Sequence, residues 1–132
     1  MTATTEETSI YALIGTTTPD PQGGSGGLEV MRTFDSKEEA ENNWKGIADR
    51  AIRKSPNAWL THGFHLVEVP PEKRETFERM YDTDQRAKRD PESVFPDEDG
   101  TVYFPRVQNR LRAFRGRWRQ HLQSLIDNHK LE

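Results

Sequence analysis

Residues 10–14 read Ile-Tyr-Ala-Leu-Ile. In an extended chain successive side chains point to opposite faces, so Ile10, Ala12 and Ile14 share one side while Tyr11 and Leu13 share the other. A strand apolar on both sides has no face to give to water and belongs inside a sheet, covered from above and below. This one segment therefore demands neighbouring strands and two covering layers. The chain has only 132 residues, of which 32% are hydrophobic, so the expectation is a single, thinly cored domain over residues 10–130, preceded by a flexible N-terminus at 1–9.

The next segments supply the remaining parts. Residues 15–27 concentrate glycine and proline and are expected to form a long, mobile connection. Residues 28–34 alternate, with Leu28, Val30 and Phe34 assigned to one face and Glu29, Met31 and Thr33 to the other, the pattern of a one-sided strand. Ser36 followed three residues later by Glu39 is a capping box that starts a helix. Ala40, Trp44, Ile47, Ala48, Ala51 and Ile52 continue it at helical spacing, and Ser55-Pro56-Asn57 stops it. Residues 64–69 are apolar enough for a third strand, closed by Pro70-Pro71.

A third strand lying beside the first, away from the second, gives a three-stranded antiparallel sheet in the order 2-1-3. The capped helix then crosses one face. The second face can be covered only by the C-terminal half, so the fold class is α+β. In that half, residues 72–88 read as a helix with a poor apolar face of Phe77, Met80 and Tyr81. Asp99-Gly100 within residues 93–104 suggests a short hairpin. From Pro105 onward, Val107, Leu111, Phe114, Trp118, His121 or Leu122, and Leu125 recur at spacings of three and four, the mark of a long amphipathic helix.

Several chemistries are excluded or disfavoured. With no cysteine, disulfides, thiolate metal sites and thiol catalysis are removed together. The longest apolar run is the first strand itself, too short for a membrane span, and residues 1–9 lack the features of a secretory signal, so a cytoplasmic protein is expected. Leu131-Glu132 reads as a possible tag scar. His62 and His65 stand three apart, on opposite faces of a strand unless Gly63 bends it, which argues against a shared metal. Asp82-Thr83-Asp84 and Asp97-Glu98-Asp99-Gly100 do not fit a calcium loop, and the glycines at 23–27 lack the lysine of a phosphate loop. No catalytic residue, metal site or cofactor is assigned.

The last helix carries the distinctive charge. Arg106, Arg110, Arg112, Arg115, Arg117, Arg119 and Lys130 face Asp127 as the only acid among residues 105–130, whereas Asp90, Glu92, Asp97, Glu98 and Asp99 lie just upstream. On a helical wheel Arg106, Arg110 and Arg117 flank the apolar stripe on one side, and Arg112, Arg115 and Arg119 on the other. The first trio is expected to pair with the upstream acids. The second, Arg112, Arg115 and Arg119, is the candidate partner-binding row, because planar guanidinium groups engage carboxylates or phosphates two-pronged.

The stretch Arg32-Thr33-Phe34-Asp35-Ser36-Lys37-Glu38-Glu39-Ala40-Glu41 resembles the strand-to-capped-helix junction of many small bacterial and phage proteins. The small size, uneven charge and lack of catalytic motifs are similar in general character to phage-encoded inhibitors and toxin-immunity proteins. That resemblance implies a non-enzymatic protein that occupies a surface on a protein or nucleoprotein, without a membrane role. The alternative is nucleic-acid binding through the same arginines.

Overall fold

The computed structural model describes residues 8–17, 27–54, 59–95 and 104–131. Three strands, β1 (Ile10–Thr17), β2 (Leu28–Phe34) and β3 (Trp59–Val69), form one sheet in the order β2-β1-β3, with both pairings antiparallel. The helices are α1 (Lys37–Lys54), α2 (Pro71–Arg89), the single turn α3 (Pro91–Val94) and α4 (Phe104–His129). The sheet is sandwiched: α1 lies on one face, and α2 and α4 lie on the other. Ile10, Ala12 and Ile14 of β1 join Phe77 of α2 and Phe114, Trp118, Leu122 and Leu125 of α4 in the larger cluster. Leu13 joins Phe34, Ala40 and Leu66 in the smaller one, with Tyr11, Trp44 and Ile47 packed around it. The doubly apolar strand thus stands in the centre with both faces covered, as its pattern requires.

The α1 start follows the capping box. The Ser36 hydroxyl accepts a hydrogen bond from the Glu39 backbone N–H at 3.1 Å, and the Glu39 carboxylate accepts one from the backbone N–H of Asp35 at 3.3 Å. Replacing Ser36 by Ala removes the acceptor of an otherwise orphan helix donor and is expected to cost about 1 kcal/mol in a urea titration. The apolar stripe of α1 ends sooner than its spacing suggests. Ala40 and Ala48 are buried, whereas Ile52 is the exposed large hydrophobic residue.

Four local expectations are corrected. Strand β2 does not keep Phe34 on the face of Leu28 and Val30. Leu13 pairs with Arg32 but Ile14 with Val30, leaving Met31 as an extra residue, and this bulge turns Phe34 toward the α1 face, where Met31 lies as its alternation requires. Strand β1 runs to Thr17, so the first three residues assigned to the mobile 15–27 connection belong to the sheet; residues 18–26 lie outside the described residues. Strand β3 begins at Trp59 rather than at residue 64, and Thr17 pairs with Trp59 after Gly15 has paired with Phe64, so the ladder is irregular there. The hairpin expected over 93–104 loses both ends to helices, since Ser93 and Val94 lie in α3 and Phe104 opens α4; residues 96–103 lie outside the described residues.

Both ends of the described chain are fastened. At the N-terminal side, the Ser9 hydroxyl donates to the Glu68 carboxylate at 2.5 Å and the Arg74 guanidinium donates to the Thr8 hydroxyl at 2.9 Å, so Thr8 and Ser9 of the expected flexible 1–9 segment are held. After α4, Lys130 bridges antiparallel to Val67, and the backbone N–H of Leu131 donates to the Leu66 carbonyl at 2.8 Å. The Leu131 side chain packs against the α1-side cluster.

Candidate basic face of the last helix

Helix α4 owes its position to the stripe read from its sequence. Val107, Leu111, Phe114, Trp118, Leu122 and Leu125 are all buried, and their burial fixes the rotation of the helix on the sheet. His121, the alternative stripe residue, is half-buried. Its ring stacks on Trp118 with centroids 5.9 Å apart and lies 6.2 Å from Phe77. Tyr81 of α2 also approaches Trp118, at 6.5 Å. The His121 side of α4 therefore faces α2.

That orientation separates the two arginine flanks. Arg106, Arg110 and Arg117 lie on the α2 and α3 side. Arg110 donates to the Phe95 carbonyl at 3.2 Å, and Arg106 is engaged as well. Arg117 is exposed and makes no ion pair with a described residue, so this trio does not act as one unit. Of their expected partners, Asp90 and Glu92 form no ion pair with a described residue, and Asp97, Glu98 and Asp99 lie outside the described residues.

The opposite flank points away from α2. Arg112, Arg115 and Arg119 are exposed, and none forms an ion pair or side-chain hydrogen bond with another described residue. At 100° per residue the three fall within about 60° of rotation and about 10 Å of helix length, a compact row of guanidinium groups. Arg112 and Arg115, and Arg115 and Arg119, are like-charged neighbours at i,i+3 and i,i+4, an arrangement that costs an isolated helix about 0.2–0.5 kcal/mol per pair. No acid on α4 offsets them, because its first turn has none and Asp127 accepts a hydrogen bond from Gln123.

Helix α2 treats its cations differently. Arg74 pairs with Glu78 at 3.2 Å, Arg86 with Asp82 at 3.1 Å, and Lys88 with Asp84 at 3.4 Å, each at i,i+4. Lys88 also reaches Glu29 on β2 at 3.1 Å. Burial opposes the charge on Lys88, but the two carboxylates outweigh it and raise its pKa above the ordinary lysine value. This network is absent from the sequence reading, because Glu29 is far away along the chain and only the i,i+4 spacing of Asp84 and Lys88 hinted at it.

The histidines also take places not legible from spacing. His65 sits opposite Ile14 on β3 and shares its face, beneath α4; the side chain of His62 lies outside the described residues. Among the described residues no group of three metal-ligating side chains occurs, and no helix is long and apolar enough to cross a membrane. A shallow depression of about 480 Å³ lies at the end of α1, lined by Arg50, Ala51, Arg53 and Lys54. Basic side chains there are accounted for by the negative end of the helix dipole. No protein-family model, curated protein or solved structure matches the chain.

Proposed function

We propose that this protein is a non-enzymatic binding protein that docks on an acidic surface of a protein or nucleoprotein through Arg112, Arg115 and Arg119. The observation that carries the reading is the contrast between two helices on the same face of one sheet. Helix α2 pairs three of its six cations, Arg74, Arg86 and Lys88, with carboxylates one turn away, whereas α4 exposes a row of mutually repelling arginines with no carboxylate beside them. The stripe alone would seat α4, so the row adds nothing to the fold. Its chemistry suits an external anion, to which each guanidinium offers a planar pair of donors. A protein partner is favoured over nucleic acid because no aromatic side chain lies in the row to stack on bases, and the chain as a whole carries net charge −3. A binding rather than catalytic role is supported by His121, the half-buried histidine within the α4 stripe, whose ring is taken up in packing against Phe77 and Trp118.

The test uses poly-L-glutamate and duplex DNA as separate probes at physiological salt. The wild type is expected to bind poly-L-glutamate and to bind duplex DNA weakly. The triple reversal Arg112→Glu, Arg115→Glu, Arg119→Glu is expected to abolish poly-L-glutamate binding while shifting the melting temperature little, since all three side chains are exposed. Retained binding, or a loss that follows unfolding, would overturn the assignment. Tight DNA binding whose salt slope falls by about one per arginine removed would establish the nucleic-acid alternative instead.

A further inference from the structure

We infer that α4 is loosened from the sheet by mild acid, through protonation of His65 beneath it and His121 beside α2, so that presentation of the arginine row depends on pH. The consequence for binding rests on the function proposed above; the loosening itself does not.

Each ring has one nitrogen cut off from solvent and from any hydrogen-bond partner, Nδ1 in His65 and Nε2 in His121. A neutral imidazole keeps one nitrogen bare, and that nitrogen can occupy the unpartnered position while the other carries the proton. An imidazolium donates from both. Protonation thus places a charged N–H where no acceptor waits, in a packed interface, and that is costly.

The surrounding charges reinforce the effect. Lys73 is the charged group that acts on His121 from α2, where the other neighbours are the Phe77 ring and, through Trp118, the ring of Tyr81. Lys130, which follows α4, acts on His65, whose partner across the ladder on β1 is Ile14. Both cations repel an imidazolium. Burial first and the lysine second lower the pKa of each histidine below its ordinary value.

For a group whose pKa is lower in the folded state, the unfolded chain takes up protons first. The stability it supports is therefore present above the unfolded value of about 6.5 and declines as pH falls below it. The decline is directed at α4 because His121 is part of it, and His65 lies on the sheet face it covers, under the influence of Lys130 just past its end. The sheet below is held by backbone ladders, which these protonations do not touch.

Hydrogen exchange on the whole protein, corrected for intrinsic rates, tests the inference between pH 7.5 and 5.5. In the wild type, protection of the amides of Leu111, Phe114, Trp118, Leu122 and Leu125 is expected to fall by up to about tenfold for each histidine, the ceiling set by one pH unit below the unfolded value of about 6.5, while Ile10, Ala12 and Ile14 hold theirs. His121→Phe keeps a ring in the stack and is expected to remove much of the fall. Lys73→Gln, which leaves the histidine and its packing in place, is expected to make the fall smaller, because relieving the repulsion brings the folded-state pKa of His121 back toward its unfolded value. Protection in α4 that is insensitive to pH, an equal fall in β1, or an unchanged response in both variants would overturn the inference. Failure of poly-L-glutamate binding at pH 7.5 would overturn the proposed function and leave this result standing.

Discussion

Trp118→Ala is expected to destabilise the protein by about 3–5 kcal/mol, read as the shift of a urea unfolding curve at constant slope. Trp118 is 4% exposed and stands where α4, α2 and the sheet meet, with the ring of Phe77 at 5.5 Å and that of His121 at 5.9 Å. Truncation to a methyl group leaves a cavity that three separate elements would have to collapse to fill. A domain of this size has about 5–15 kcal/mol of stability in total, so the variant is expected to lie close to its unfolding threshold. Gln120, two residues along and exposed, is the control: its replacement by Ala is expected to change stability by less than about 0.5 kcal/mol. Trp118→Phe separates volume from polarity. The indole Nε1 is buried without a partner, so removing that N–H offsets part of the lost packing, and the loss is expected to be smaller than for Ala.

Leu13→Ala is the corresponding experiment on the opposite side of the sheet, with an expected cost of about 2–5 kcal/mol. Leu13 is fully buried against Phe34, Ala40 and Leu66. Its cluster has four buried members, so few neighbours can relax into the space. If the two faces are both required, Leu13→Ala and Trp118→Ala each move the midpoint of a single cooperative transition. A negligible effect of Leu13→Ala, with the full effect of Trp118→Ala, would mean that α1 contributes little beyond covering the sheet.

The parts legible in the sequence are those in which one pattern has one solution. A strand apolar on both faces must be central, and a stripe of six apolar residues at spacings of three and four must face a core. Hence the sheet order and the rotation of α4 both follow from the chain itself. Exposure of Arg112, Arg115 and Arg119 follows from that rotation, so the candidate row was legible with the stripe. The flank that faces α2 was not, since it depends on where Phe77 and Tyr81 are carried by the path of another helix. Phe34 was misplaced because alternation is read as unbroken, whereas an extra residue at Met31 reverses every side chain beyond it. The start of β3 was missed for a related reason: its first residues enter the ladder through an irregular step near Gly63, where a two-residue period gives no guide. The turn α3 and the Lys130–Val67 bridge leave no periodic signal because each is too short to have a period.

Strand β3 has a further role as the common fastening of the chain. Ile10 pairs with its Val69 along one edge and Lys130 with its Val67 along the other. The two ends of the fold therefore meet across a single strand, about two interstrand spacings or 10 Å apart, and the backbone between them describes a nearly closed circuit. The chain enters β1 at the Val69 end of β3 and ends its described course beside Leu66, so the same strand separates its first and last described segments. Tension applied between the ends would be borne first by that one strand, with α1 and α2 left slack until it yields.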